Sequence, residues 1–313
     1  MKPNAINFCI SLTTFFLLLS GDVAATEYKN RLSVLPIENP VGWAAPYDPG
    51  DLVTTLLKRS IAEKNNFYLA PPPSFPNQGK PKKSKQIEKA GTLPSSPAQI
   101  NHPSQFILKG RVLNFTAGKP PSRAQLILNI GNAMKQKAEM EVELQLINHH
   151  LKKTVEKKVF KIASSAGTVP FDLDAAEVDL NSAKFQKSSI GKALGHLAQQ
   201  VNEFLMTALH PLPLEGEVIS VNAEKKEIII NVGQVHGIDF GDFFNVYSVT
   251  LQYKDPFTQL DLGNKFWRRA VVRVKDVQEG FSIAAIVAGE GIEKGELVRS
   301  RKTNTVRFVR DSP

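Results

Sequence analysis

Between Glu139 and Ile147 apolar and polar residues alternate, with Met140, Val142, Leu144 and Leu146 apolar and Glu141, Glu143 and Gln145 between them. A period of two places the apolar set on one face of a half-buried strand and leaves the other face to water. Asn148-His149-His150 reads as a polar turn, and Lys153–Ile162 as the returning partner strand. Three further apolar runs, Arg31–Ile37, Phe67–Ala70 and Phe106–Phe115, have the length of strands. Two segments follow helical spacing instead. In Leu52–Glu63, Leu52, Leu56 and Ile61, with Val53 and Leu57 beside them, make one apolar face. Asp48 or Asp51 is its predicted cap, and Asn65-Asn66 its end. Ser188 or Ser189 opens a longer helix, to about Leu209, with a stripe of Ile190, Ala193, Leu194, Leu197, Val201, Phe204, Leu205 and Ala208. His196 falls beside that stripe, and Pro211 and Pro213 close the unit.

Beyond Pro213 the helical period disappears. Short strand-like runs at 216–222, 227–232, 243–249, 266–274, 281–287 and 296–299 predict a small barrel or sandwich. A polar Ala223-Glu224-Lys225-Lys226 turn joins the first two, a looser loop is expected over 253–264, and the basic end from Arg299 onward is expected to fray. Two corners share one pattern, Gly237-Ile-Asp-Phe-Gly241-Asp242 and Gly291-Ile-Glu-Lys-Gly295-Glu296. Paired glycines permit a tight backbone and the acid can bond across the turn. Gly233, Gly237, Gly241, Asp242, Gly291 and Gly295 are therefore the residues singled out, as structural turns. Their carboxylates lack the dense spacing of a calcium loop.

Two stretches depart from globular patterning. Residues 71–105 hold eight prolines and Lys80, Lys82, Lys83, Lys85 and Lys89 among few apolar residues. Such a segment buries too little surface to offset its ordering entropy, which predicts a disordered insertion. At the start, Met1-Lys2, the apolar run Phe8–Leu19 and Val23-Ala24-Ala25 have the three parts of a secretory signal peptide, assigned to 1–25. The run is shorter than the roughly 20 residues that span a bilayer. The single cysteine, Cys9, lies inside it, so the exported chain is expected to carry no disulfide, no cysteine metal site and no lipid-attachment cysteine.

Charge and chemistry add little. The formal net charge of +9 suits an anionic envelope surface, nucleic acid or plain solubility. The basic residues are scattered, without an aromatic-interleaved arginine patch, so no nucleic-acid partner is expected. Adjacent histidines in a turn point apart, and no carboxylate or thiol accompanies His149 and His150. Neither a catalytic constellation, a metal site nor a cofactor motif is evident.

One resemblance organises these observations. Phe106-Ile-Leu-Lys-Gly-Arg-Val, Arg31-Leu-Ser-Val-Leu-Pro-Ile and the helix entry Phe185-Gln-Lys-Ser-Ser-Ile-Gly-Lys-Ala-Leu-Gly are similar to CsgG-like and TolB N-terminal-like periplasmic domains. The second unit, through Gly216-Glu-Val-Ile-Ser-Val, Gly237-Ile-Asp-Phe-Gly-Asp and Gly291-Ile-Glu-Lys-Gly-Glu, resembles the C-terminal domain of flagellar assembly proteins of the FlgT type. The resemblance implies an α+β protein: an antiparallel sheet with two main helices over 26–210, a small all-β barrel-like domain over 211–300, and a basic tail over 301–313. It further implies a non-enzymatic, periplasmic assembly protein of the flagellar basal-body ring. Its expected partners are envelope or basal-body proteins or further copies of itself, with peripheral contact to outer membrane or peptidoglycan. CsgG-like relatives imply the alternative of outer-membrane secretion or curli-type assembly, and the barrel that of an envelope-binding module. Segments 122–138 and 163–185, where CsgG-like membrane hairpins would lie, show no sustained outward apolar alternation.

Overall fold

The computed structural model describes residues 27–45, 47–72, 104–116, 138–164, 179–258 and 261–301. The signal-like segment, most of the proline-rich insertion and the tail beyond Arg301 lie outside these. The described chain is mixed α+β. A five-stranded sheet has the order β2-β1-β3-β4-β5, from β1 (Arg31–Val34), β2 (Tyr68–Leu69), β3 (Phe106–Thr116), β4 (Glu139–Asn148) and β5 (Lys153–Ala163). Helices α1 (Pro49–Lys64), α2 (Ala183–Lys187) and α3 (Ser189–Leu209) accompany it.

The sheet is not antiparallel throughout, as the resemblance implied. β1 runs parallel to both β2 and β3, whereas β3, β4 and β5 are antiparallel. The reason is connectivity: β1 and β2 are joined through α1, and a helical crossover returns the chain in the same direction. α1 begins at Pro49 with Asp48 as its cap, whose carboxylate accepts from the Asp51 amide at 2.8 Å. Val53, Leu57 and Ile61 are its buried core positions, with Pro49, Gly50 and Thr54 also buried, while Leu52 and Leu56 lie half-buried at the margin. Ser188 caps α3 through the Gly191 amide. Ala193, Leu194, Leu197, Val201 and Leu205 of α3 are buried in the same core as Leu108, Val142 and Leu144 of the sheet. Asn202 of α3 donates to the Ser60 hydroxyl of α1 at 2.7 Å, tying the two helices together. His196 is exposed.

The opposite sheet face is open and charged, laced by cross-strand pairs such as Lys157–Glu143 at 2.7 Å and Lys161–Glu141 at 3.2 Å. Edge strand β5 presents Lys153, Lys157, Lys158 and Lys161, an arrangement that discourages further strands from pairing there. Among the described residues no helix is long and apolar enough to cross a membrane.

The second unit is a closed six-stranded barrel in the order β10-β7-β6-β11-β8-β9. Its strands are β6 (Glu215–Asn222), β7 (Glu227–Ile230), β8 (Phe243–Lys254), β9 (Asp261–Val277), β10 (Ser282–Gly289) and β11 (Leu297–Ser300). Val218, Ile228, Ile230, Phe244, Val246, Val272, Val274, Ala284 and Val298 fill the interior. Two expectations fail here. The loop expected over 253–264 is strand at both its ends, 253–254 and 261–264, because β8 and β9 continue as one long hairpin whose register reaches Lys254 opposite Asp261. Arg299 does not fray. It sits in β11, paired on both sides by β6 and β8.

The two glycine corners repeat in space as they do in sequence. The Asp242 carboxylate accepts from the Asp239 amide at 2.9 Å, and the Glu296 carboxylate accepts from the Glu293 amide at 3.2 Å. Both acids are buried or nearly so. Gly237, Gly241, Gly291 and Gly295 all take positive φ, whereas Gly233 is extended and is demanded by closeness to the Gln278 and Phe281 backbone. At Gly241, φ is +89° and the nearest atom to an added Cβ is Arg273 Nη2 at 3.5 Å. Space is therefore available and backbone conformation alone opposes a side chain. Gly241→Val is expected to cost about 1–3 kcal/mol, read as a lowered midpoint in urea unfolding of the full chain. An unchanged midpoint would dismiss the strain argument.

Candidate functional site: the seam between sheet and barrel

The sheet and the barrel meet through a polar seam of interacting charged groups, most of them buried. It begins at Arg31, the first residue of β1, which is fully buried. Its Nη2 donates to the Glu215 carbonyl, at the start of β6, across 2.6 Å. Its Nε and Nη1 meet no partner among the described residues. Burial pushes the Arg31 pKa down to about 10, opposed by the nearby Glu217 and Glu215 carboxylates, so the side chain stays cationic at neutral pH.

Glu215 answers this charge. Its side chain is 3% exposed, and its Oε1 accepts from Arg299 Nε at 2.9 Å and Arg299 Nη2 at 2.5 Å. The second oxygen faces Asn148 Nδ2 at 3.3 Å. Its backbone amide donates to the Gln105 side chain at 3.1 Å, and Gln105 in turn donates to the Pro213 carbonyl at 2.9 Å. Ser104 and Gln105 are thus buried parts of this junction and do not belong to the disordered insertion expected over 71–105. One carboxylate, one glutamine and two arginines carry contacts among β1, the segment before β3, the end of β4, β6 and β11.

The β4–β5 turn also reaches the seam. Asn148 Oδ1 accepts from the Leu151 amide at 2.9 Å and shapes the turn. His150 then points at the barrel, its Nδ1 3.4 Å from Glu217 Oε1 and its Nε2 buried without a partner among the described residues. The expected polar hairpin turn at Asn148-His149-His150 is present, and it packs against the barrel. The turn is docked, and burial, aided by the Arg31 and His149 charges, lowers the His150 pKa to about 4. Among the described residues no group of three His, Cys, Asp or Glu side chains could hold a metal ion.

A second fastening lies on the other side. Tyr28 precedes the sheet but belongs to the barrel core, where burial and then the Asp242 charge hold its hydroxyl pKa well above the ordinary phenol range. The Lys29 amide donates to the His236 carbonyl at 2.9 Å, and the Tyr68 ring meets the His236 ring edge-on at 4.7 Å. An added Cβ on Gly237 would stand 2.5 Å from the Glu27 carbonyl oxygen, so this corner glycine also lets the N-terminal strap lie close. Of the residues singled out in the sequence, Gly237 and Asp242 come together at this strap, while Gly291 and Gly295 flank the other corner.

Arg31, Gln105, Asn148, His150, Glu215 and Arg299 were not visible as a set in the sequence. Each lies in a different element. The signals are a charged residue opening an otherwise apolar strand, Arg31, and a glutamate opening the first barrel strand just after Pro213, Glu215. Physically, the arrangement holds two units in one mutual orientation. Arg299 extends that hold outward, because its guanidinium also covers the Tyr247 and Phe266 rings of the β8–β9 hairpin at 5.6 and 5.2 Å.

No family model matches the chain, and no curated protein matches it. Among solved structures, it is similar to a hypothetical protein of Chlamydia trachomatis, at 12% identity over 57% of this chain and 97% of that one, with a TM-score of 0.40. A lipoprotein of Neisseria meningitidis aligns at 9% identity over 57% of this chain and 99% of that one, with a TM-score of 0.26. TolB of Acinetobacter baumannii aligns at 10% identity over 86% of this chain and 63% of that one, also with a TM-score of 0.26. Likenesses of this strength say nothing about activity.

Proposed function

We propose that the chain is a non-enzymatic scaffold of the bacterial cell envelope, exported to the periplasm, that serves a protein assembly such as the flagellar basal-body ring. The observation that carries this reading is the seam. Interlocked buried groups join two dissimilar units into one body, which is what a part needs to hold partners at a set distance and angle. The export-type N-terminus and the order of the two units, similar to that of FlgT-type proteins, support the same reading. Mechanism here means interface formation: apolar patches supply the association energy and surface charge selects the partner. The test is fractionation of an envelope extract with a tagged full-length chain, alongside a deletion strain. Co-purification with basal bodies, or with another envelope assembly, and a corresponding defect are expected. A deletion that leaves motility, surface fibres and secretion intact would overturn the proposal.

A further inference from the structure

The long hairpin leaves the barrel. β11 pairs with β8 only over residues 244–247, and β10 pairs with β9 only from Ala270 onward. Among the described strands, 248–254 and 261–269 therefore pair only with one another, as a two-stranded ribbon. At about 3.3 Å per residue the ribbon reaches roughly 20 Å beyond the barrel. Isolated two-stranded ribbons are marginal in water.

The ribbon has two unlike faces. Directly opposed residues share a face, so the pairs Tyr253–Gly263, Thr250–Lys265 and Ser248–Trp267 define one side. On that side Tyr253 is 47% exposed, Trp267 is 53% exposed and Lys265 is also exposed. On the other side Phe266 and Tyr247 stack edge-on at 6.2 Å beneath Arg299. The outer face is thus an aromatic–lysine–aromatic stripe, with the Lys265 ammonium 3.8 Å above the Trp267 ring. At the tip, Asp255 accepts from the Phe257 and Thr258 amides at 2.8 and 3.1 Å, which orders a turn bearing the 94% exposed Phe257.

We propose that this outer face, Tyr253–Lys265–Trp267, is a docking surface for an anionic phospholipid bilayer. Amphipathic rings of Trp and Tyr settle at headgroup depth, and basic side chains beside them meet the phosphates. Arg268, opposite Tyr247, falls on the other face, and Arg269 at the ribbon base pairs with Glu296 at 3.5 Å, so Lys265 carries the positive charge of this face on a chain whose net charge is +9. The geometry disfavours a sugar-stacking platform, since the lysine already occupies one face of the Trp267 ring. This inference goes beyond the scaffold reading and holds for whichever assembly is served.

The experiment is vesicle co-sedimentation of the full-length chain. Vesicles of equal parts phosphatidylcholine and phosphatidylglycerol are expected to bind it, phosphatidylcholine alone much less, with a blue shift in tryptophan emission and weakening by salt. Lys265→Glu is expected to lower partitioning about tenfold, and Trp267→Ala to lower it and abolish the shift. Lys58→Glu, the same charge change on an exposed position of α1, should bind as wild type. Lys265→Gln serves where the reversal impairs folding. Equal loss in Lys58→Glu, absence of binding to anionic vesicles, or preferential binding to peptidoglycan fragments would each overturn the proposal. Lost vesicle binding with retained co-purification of the assembly would overturn this inference and leave the scaffold reading standing.

Discussion

Glu215→Ala is expected to lower the unfolding free energy of the full chain by about 3–5 kcal/mol, the cost of stripping one partner from a buried ion pair. The size follows from what remains behind. Arg299 would lose both bonds to Oε1, and Asn148 its acceptor. Arg31 already has two guanidinium nitrogens without partners, so the seam holds no spare acceptor to take up the loss. Glu215→Gln keeps an amide oxygen for Arg299 and should cost less. Because the same carboxylate bridges sheet and barrel, calorimetry of Glu215→Ala should resolve two transitions that are closer together in the parent. A melting profile identical to wild type would show that the seam is not what couples the units.

The second large effect is with pH. His150 has an ordinary pKa of 6.5 when unfolded and about 4 in the folded chain. Between these values the unfolded state holds a proton that the folded state refuses, so stability falls as pH falls. The contribution is fully present above the unfolded value, and its loss is complete below the folded one. At about 1.36 kcal/mol per pH unit, the loss totals roughly 3 kcal/mol, of which about 2 should be gone by about pH 5. The half-buried acids Glu143 and Glu227 have pKa values held below the ordinary carboxylate range by their hydrogen bonds to Lys157 and Lys275. Their stabilising contribution is lost only as pH falls further, so the two effects separate. His150→Gln should flatten the stability profile between neutral and mildly acidic pH. If both proteins lose stability in parallel over that window, the buried histidine is not the cause.

The seam accounts for the particular failures of the sequence reading. Alternation in Met140–Leu146 and the stripe of α3 are local properties, set by periods of two and 3.6, and both were legible. The local sequence predicts a polar hairpin tip at His149-His150 and a disordered insertion reaching Gln105, and neither prediction takes account of a distant surface. Gln105 is instead buried against Glu215, 110 residues away along the chain, and the His150 ring faces Glu217 of the barrel. The reach of the β8–β9 hairpin was missed for a related reason. Its polar and glycine content resembles a loop, and only cross-strand pairing makes it a ribbon. The direction of β1 relative to β3 was likewise a matter of which strands become neighbours.

By itself, the sequence predicts an export-type start and a division near Pro211–Pro213, and it marks the helix faces and the paired glycine corners. These follow from composition, periodicity and the φ values that glycine alone adopts freely, all of which act within a few residues. Tertiary structure alone decided the mixed direction of the sheet, the strap of Glu27–Asn30 across both units, the burial of Arg31, the docking of His150 against the barrel, and the exposed Tyr253–Lys265–Trp267 face. Those depend on which distant surfaces meet. A charge becomes a fastening or a docking group according to whether water, a carboxylate or nothing stands opposite it.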